Sequence, residues 1–429
     1  MRWVRAWDPE RWAPTFFLLW GGQATSLLGS HLVQFALVWW LTKTTGSATV
    51  LAGATLVALL PQIVISPIAG TLVDRWNRRW VMIFADAAVA LATLALAILF
   101  ALDKAGLPQI YIAMFVRSMG GAFHWPAMQA STGMMVPNRH LARVGGLNQS
   151  LFGIASIVSP PLGALLLEIL PMHGVLAIDV ATAATAITPL LFIRIPLPAR
   201  IEHKEKRTSV VDDLWTGFRF VARWRALFAI IVAAALINLF TNPAISLMPL
   251  LVTRHFRGGA LELAGLQSAF GFGMVAGGLL LGLWGGFKRR MLTAMASLAI
   301  QGVGFGALGL VPPSGLAIAI GAMAVVGVMN PICNGALFAI VQSAVPHEMQ
   351  GRVMSLLISG ATAAAPLGLA VAGPVTDRAS IGLWFLVAGA VMVGVSAVVL
   401  VTPALLRVED RGVPDALRLR GPGGDAPTT

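Results

Sequence analysis

Residues 70–79 read GTLVDRWNRR and lie between two long apolar runs. Asp74, Arg75, Arg78 and Arg79 carry charge, in a chain of 429 residues that is 57% hydrophobic and only 11% charged. An ordinary soluble domain is about 25% charged. Charge crowded into one short turn of such a chain indicates a polar loop between two membrane-spanning helices.

The apolar runs repeatedly reach about 20 residues, the length at which an α-helix crosses the core of a bilayer. A helix satisfies its own backbone hydrogen bonds, which lipid cannot do. We therefore predict an all-α polytopic membrane protein with twelve transmembrane helices. The predicted spans are 14–41, 48–69, 80–102, 109–131, 145–168, 174–194, 226–252, 261–284, 291–311, 315–341, 354–375 and 381–405.

Basic residues indicate the orientation of these spans. Most of the 30 Lys and Arg residues fall on alternate loops, beginning with the N-terminal tail. The positive-inside rule then places both termini in the cytoplasm of a multi-pass protein of the inner (plasma) membrane. The net charge of +12 is spread over separate loops, so the sequence predicts no nucleic-acid partner.

Motifs of enzymes and ATP-driven pumps are missing from the sequence. No Gly-Lys dipeptide occurs, so there is no Walker A phosphate loop, and no Gly-x-Ser-x-Gly elbow is present. The histidines and the single Cys333 lack metal-ligand spacing. We expect a monomer in the lipid bilayer with no enzymatic activity, no cofactor, no metal and no use of ATP.

The two halves of the chain repeat each other. The loop after the fourth span reads VPNRHLARVGGL from Val136, and the loop after the tenth reads VPHEMQGRVMSL from Val345. Val, Pro, Arg, Val and Leu recur in register, which indicates two parallel six-helix repeats with a substrate site between them. The predicted domains are a six-helix bundle at 1–194, a cytoplasmic linker at 195–225, a second bundle at 226–406 and a disordered cytoplasmic tail at 407–429.

Within the linker, apolar residues recur at helical intervals. This pattern predicts a helix that lies on the inner membrane surface or packs under the two bundles. The residues of the pattern are Val211, Leu214, Trp215, Phe218 and Val221.

The charged loop resembles the signature loop of the Major Facilitator Superfamily, Gly-x-x-x-Asp-Arg-x-x-Arg-Arg. Residues 18–50 and 136–163 are similar to its exporter branch, which contains macrolide-efflux and enterobactin-exporter proteins. The resemblance implies the major facilitator fold and secondary active transport by alternating access. The fixed positions of the signature are occupied by Gly70, Asp74, Arg75, Arg78 and Arg79.

Two interpretations of this loop follow from its chemistry. Asp74 precedes a helix start, where the helix dipole favours an anion, and the arginines can pair with it or with carbonyls of a neighbouring helix. The loop would then be a latch that holds the cytoplasmic face shut. Alternatively, it is a topology signal that binds anionic lipid.

Charged residues at membrane depth are candidates for function. Arg117, followed by Gly120 and Gly121, forms an Arg-x-x-x-Gly pattern that resembles the superfamily's fourth-span motif, whose arginine is linked to proton coupling. Alternatively, Arg117 snorkels to the outer surface. Asp179 is a candidate partner of Arg117. Asp86 either titrates or pairs with the loop arginines, and we favour the pairing.

His31 is the fourth candidate for proton coupling, because an imidazole titrates near neutral pH. The alternative is a packed side chain with one hydrogen bond. His31 lies at the edge of a polar face of the first span, which we predict to line the substrate cavity. That face consists of Gln23, Ser26, Ser30 and Gln34.

Amides in the second half are further candidates for the cavity. Asn238 and Asn242 precede Pro243, where the missing N–H of proline predicts a kink, and the seventh span is the repeat partner of the first. Asn334 in the tenth span is a weaker parallel. The alternative role of all three is hydrogen bonding between helices.

Residues 153–163 read GIASIVSPPLG and resemble the Gly-Pro motif of antiporters, with Pro160 in place of the Gly before Pro161. Pro160, Pro161 and Gly163 predict a bent, closely packed fifth helix.

Together these features predict proton-driven efflux of an amphipathic small molecule, such as a drug, macrolide or siderophore. A cavity with amides, Met, aromatics and few fixed charges suits such a ligand. The alternatives are proton-coupled uptake of a small solute and a non-transporting sensor on the same fold.

Overall fold

The structure is a computed structural model that describes residues 12–406 apart from 74, 194, 196–218, 220, 346 and 379. Long helices dominate the described residues. They are α1 Trp12–Thr45, α2 Ala48–Val73, α3 Arg78–Ala101, α4 Leu107–Met135, α5 Asn138–Ile169, α6 Met172–Phe192, α7 Arg225–Ser246, α8 Ala260–Trp284, α9 Arg290–Leu310, α10 Leu316–Ala344, α11 in two segments, His347–Ala363 and Ala365–Arg378, and α12 Ile381–Val401.

Two of the predicted spans are less regular than their apolar runs suggest. After Pro243, α7 ends at Ser246 and continues through the short turn Met248–Leu250 and the π-helical turn Leu251–His255. The eleventh span breaks at Ala364. Pro249 has no N–H to donate to the carbonyl of Ile245, which accounts for the interruption at Leu247.

Eleven helices in the described part of the chain are long and apolar enough to cross a membrane. The remaining one, α4, is 29 residues long, but Gln109, Arg117, His124 and Gln129 lower its apolar character. It packs between α2 and α3, so its polar residues have neighbouring helices to face. The prediction of an all-α protein with twelve transmembrane helices is confirmed.

Contacts between helices follow one scheme in both halves. In the first, α1 packs on α5 and α6, α2 on α4, and α3 on α4 and α6. In the second, α7 packs on α11 and α12, α8 on α10, and α9 on α10 and α12. The halves meet where α2 packs on α11 and where α5 packs on α8, and a two-fold rotation exchanges these two pairs.

Small residues allow the helices within each half to approach closely. On α8, a Cβ at Gly277 would lie 2.0 Å from the carbonyl oxygen of Val328, and a Cβ at Gly273 would lie 2.3 Å from that of Ala324. The Gly273–Gly277 spacing places both glycines on one face of α8. The backbone of α10 therefore occupies the space that larger side chains would need.

Hydrogen bonds join the two halves midway along the helices and at the end remote from residues 70–79. At that remote end, Asp377 of α11 binds residues 47–49 at the start of α2, and Arg254 binds the carbonyl of Gly46. Further along, Ser246 contacts Thr55. The bonds of Asp377 and Arg254 hold the two halves together at the end remote from residues 70–79.

Candidate functional site

A central cavity with three lobes lies between the halves. The first-half lobe encloses about 480 Å³, the second-half lobe about 230 Å³ and the interface lobe about 370 Å³. The lobes adjoin one another, because neighbouring lobes share lining residues. His31, Gln34 and Thr55 line both the first-half and interface lobes, while Ile245, Phe270 and Phe305 line both the interface and second-half lobes.

The cavity extends toward the end of the bundle where residues 70–79 lie. Met291, at the start of α9, and Leu405, beyond the end of α12, both line the second-half lobe. By the repeat, the start of α9 corresponds to the start of α3. The cavity therefore reaches the side that the basic loops predict to be cytoplasmic.

Arg117 and Asp179 form an ion pair at the wall of the first-half lobe. Nη1 of Arg117 donates to Oδ2 of Asp179 and, at 2.7 Å, to the hydroxyl of Thr93. Asp179 also accepts from the hydroxyls of Ser30 at 3.2 Å and Thr93 at 3.3 Å. The two charged side chains are only 10% and 2% exposed, so Arg117 turns into the bundle and does not reach the outer surface.

This network joins four helices of the first half. Ser30 lies on α1, Thr93 on α3, Arg117 on α4 and Asp179 on α6. Nη2 of Arg117 also donates to the carbonyl of Ser30 at 3.3 Å. A buried pair of this kind is held by its partners, because removal of either charge leaves the other uncompensated.

Asp86 corrects one of our expectations. We favoured a pairing with the loop arginines, and this is wrong, because Oδ2 of Asp86 accepts from Nε2 of Gln23 at 3.2 Å and Oδ1 lies 3.5 Å from Nε2 of His124. Asp86 lies about 12 Å along α3 from Arg78. At that depth its carboxylate lines the first-half lobe.

His124 is a cavity residue that the sequence interpretation missed. It lines the first-half lobe beside Asp86 and lies seven residues, about two helical turns, after Arg117 on α4. That spacing places both side chains on one face of the helix. The spacing of two helical turns between Arg117 and a second titratable residue could have identified His124 as a cavity residue from the sequence.

The polar face predicted on α1 is found on the cavity. His31 stands where the first-half and interface lobes meet, between the ion pair and the second half. The α1 residues that line the first-half lobe include Gln23, Ser26, Ser30, His31 and Gln34.

Amides of the second half line the cavity from the other side. Asn238 and Asn334 line the second-half lobe, and Asn242 lines the interface lobe. Nδ2 of Asn242 donates to Oδ1 of Asn238 at 2.8 Å, and Nδ2 of Asn334 to Oδ1 of Asn330 at 3.3 Å. These bonds run along one helix, so they are not the hydrogen bonds between helices that were the alternative role of the three amides.

The proline-rich part of α5 lies against α1. The helix runs continuously from Asn138 to Ile169 through Pro160 and Pro161, and Pro160 lines the interface lobe. A Cβ at Gly163 would lie 2.8 Å from Cδ1 of Phe35, so the two helices approach closely there.

Arginines of the charged loop contact helices of their own half. Nη1 of Arg78 donates to the carbonyl of Ala130 on α4 at 3.4 Å. Arg79 donates to the carbonyls of Leu190 at 2.5 Å and Leu191 at 2.7 Å, at the end of α6. A guanidinium at a helix C-terminus is favourable, because it satisfies free carbonyls and complements the dipole.

Other predicted segments lie outside the described residues. These include Asp74 of the latch, the tail 407–429 and the greater part of the linker 195–225. Near the end of the linker, Val221 and Trp224 are buried in the hydrophobic core. Of the other latch positions, Gly70 has no atom within 4 Å of the place that a Cβ would occupy. The side chain of Arg75 is exposed.

A family profile described as the Major Facilitator Superfamily matches residues 19–369. The chain belongs to the Major Facilitator Superfamily. Its topology, its two repeats and the cavity between them are those of this superfamily of membrane transporters, and the chain is accordingly a multi-pass membrane protein.

Comparison with known facilitators gives both sequence and structural neighbours. The chain is 34% identical over 390 residues to Macrolide efflux protein A of Streptococcus pyogenes, covering 91% of this chain and 96% of that relative. It is 25% identical over 400 residues to Multidrug efflux pump Tap of Mycolicibacterium fortuitum, covering 90% and 95%. The fold matches a POT family transporter in complex with a thioalcohol-conjugated peptide, with a TM-score of 0.72 at 13% identity over 91% and 96% of the two chains.

Proposed function

We propose that this facilitator exports an amphipathic small molecule of the macrolide type across the plasma membrane, driven by inward proton flow. The observation that carries the proposal is the central cavity of three adjoining lobes, which has an ionic wall in the first half and an apolar, amide-bearing wall in the second. The identity of 34% to Macrolide efflux protein A over 91% of the chain supports both the direction and the substrate.

The second-half lobe suits a large ligand with few charges. Flexible methionines and aromatic rings adapt to irregular apolar shapes, and a few amides orient the ligand. Apolar residues of this lobe include Met291, Met295, Phe270, Phe305 and Met392.

Alternating access requires that each end of the cavity closes in turn. In this structure the end that bears Asp377 is closed, and the cavity extends toward the predicted cytoplasmic side, from which an exporter takes its substrate. We propose that the two bundles, 1–194 and 226–406, rock about the cavity as a monomer without ATP. In the opposite conformation, the latch of Gly70, Asp74, Arg75, Arg78 and Arg79 would hold the cytoplasmic end shut.

For proton coupling we propose that the Arg117–Asp179 pair is the central element. Protonation of Asp179 would remove the charge that holds Arg117 and loosen the network between α1, α3, α4 and α6. His31, at the border between lobes, and Asp86 are placed to pass the proton between this pair and the cavity.

Accumulation of radiolabelled erythromycin in whole cells tests the proposal. Expression of the wild type should lower accumulation, an uncoupler should restore it, and Arg117→Ala should behave as the uncoupled wild type. Lys104→Ala, at an exposed site, is the matched control and should export normally. Higher accumulation on expression would instead identify an uptake carrier, and export that survives the uncoupler would remove the proton as driving ion.

A further inference from the structure

The two carboxylates of the first-half lobe differ in how fully they are satisfied. Asp179 accepts hydrogen bonds from Arg117, Ser30 and Thr93. Asp86 accepts one, from Gln23. Because an ionised carboxylate offers about four lone-pair sites, Asp86 keeps acceptor capacity that the protein leaves unused.

The charge of the cavity is set by Asp86. Among the described residues that line the three lobes, the charged side chains are Arg117, Asp179 and Asp86, with His31 and His124 as groups that can gain a proton. Arg117 and Asp179 neutralise each other. With both histidines neutral, a single negative charge remains, and it lies on Asp86.

Asp86 is also accessible from the cavity. Its side chain is 12% exposed, against 2% for Asp179. The neighbouring His124 places Nε2 at 3.5 Å without a hydrogen bond, so this contact does not occupy the carboxylate as an amide or guanidinium would. A cation that enters the first-half lobe meets Asp86 as its one unneutralised partner.

We infer that Asp86, oriented by Gln23, is the subsite for a single protonated amine of the substrate, whose apolar body extends through the interface lobe into the second-half lobe. A buried cation needs a counter-ion, and the cavity supplies one, at one end of an otherwise uncharged space. The substrate class is therefore an amphipathic monocation. The inference deepens the proposed export function and rests on it.

His124 is the internal competitor for this subsite. When protonated, its imidazolium would neutralise Asp86 and weaken the attraction for an amine. When neutral, it leaves the carboxylate to the substrate. Arg117 stays paired with Asp179 and His31 lies at the border with the interface lobe, so His124 is the titratable group in contact with Asp86.

Equilibrium binding to the purified full-length protein in lipid nanodiscs tests the inference. The probes are erythromycin, whose tertiary amine is protonated at neutral pH, and its uncharged N-demethyl-N-acetyl derivative. The wild type should bind the amine about ten- to hundred-fold more tightly than the amide, the range for a charge-assisted hydrogen bond. Asp86→Asn should abolish that preference while leaving amide binding unchanged, and Asp86→Glu should retain part of it.

Asp103→Asn, at an exposed turn, is the matched removal of a carboxylate and should keep the full preference. A wild type that binds both probes equally overturns the inference without any variant, as does an Asp86→Asn protein that still prefers the amine. If the wild type binds no macrolide, tetraphenylphosphonium replaces it as a permanent cation. Binding that depends on Asp86 then upholds the subsite while macrolide export fails, and absent binding overturns both.

Discussion

The carboxylate of Asp377 in α11 accepts a hydrogen bond of 2.8 Å from the backbone N–H of Ala48, the first residue of α2. It also accepts from the N–H of Thr49 at 3.0 Å and from the hydroxyls of Ser47 at 3.0 Å and Thr49 at 2.7 Å, while Arg254 lies 3.7 Å away. An acid from one half thus caps a helix of the other half. The free N–H groups of a helix start favour such an anion, so the contact stabilises the closed end that bears Asp377.

Removal of this acid should shift the transporter toward the conformation that is open at the end that bears Asp377. A lost cap costs about 0.5–2 kcal/mol, which corresponds to a shift in the population ratio of about two- to thirty-fold. In a Cys333→Ser background, Gln34→Cys in the interface lobe reports access. Asp377→Ala should raise its labelling rate with a membrane-impermeant maleimide by that factor.

Asp103→Asn removes an acid that is exposed between α3 and α4 and should leave the labelling rate unchanged. Equal labelling rates in Asp377→Ala and its parent would show that the contact of Asp377 with α2 does not hold this end of the bundle closed.

A second prediction concerns the buried pair of Arg117 and Asp179. Each single change, Arg117→Ala or Asp179→Ala, leaves one charge uncompensated at 10% exposure or less and should lower the free energy of unfolding by about 3–5 kcal/mol. The double variant leaves no unpaired charge and should lose clearly less than the two single losses combined. Thermal unfolding of the purified proteins in detergent measures the cycle, and strictly additive losses would show that the two charges do not stabilise each other.

Local chemistry and spacing were sufficient to predict much of this molecule. The apolar run 48–69 corresponds to Ala48–Val73, and the polar face of α1 does line the cavity. Both follow from the periodicity of one helix. The π-helical turn of the seventh span could not be predicted in this way. The sequence indicates a kink near Pro243 but does not determine the geometry of the turns that follow it.

Relationships between distant helices account for what was missed. The position of Asp86 in the sequence gave no means to choose between the loop arginines and the cavity, since the choice depends on how α1 and α4 present Gln23 and His124 to it. Asp377 is separated from Ala48 by 329 residues. Only the docking of α11 on α2 brings them together.

The close approach of α8 and α10 gives a third prediction, with a control next to it in sequence. A Cβ at Gly277 would lie 2.0 Å from a backbone oxygen of α10, whereas Gly278 has no atom within 4 Å. Gly277→Ala should therefore force the helices apart and cost about 1–3 kcal/mol, while Gly278→Ala should be neutral or slightly stabilising. The melting temperatures of the two variants test this prediction. An equal effect of both substitutions would mean that α8 and α10 are not in backbone contact.

The last prediction separates the two interpretations of the charged loop. Asp74→Asn keeps the size of the side chain and removes only its charge. If the loop is a latch, the substitution should slow erythromycin export by about two- to five-fold, because a carboxylate near a helix start contributes about 0.3–1 kcal/mol. Membrane insertion and the amount of protein should stay normal, since an acid contributes little to orientation.

The companion to Asp74→Asn is Arg75→Gln, which removes a positive charge from the exposed position next to it. If the loop is instead a topology signal that binds anionic lipid, Arg75→Gln should reduce membrane insertion and Asp74→Asn should not, because lipid binding depends on the arginines and is opposed by the acid. Initial rates of export from preloaded cells, normalised to protein in the membrane, distinguish the two cases. Unchanged export by Asp74→Asn, together with reduced insertion of Arg75→Gln, would assign the loop to lipid binding and remove the latch.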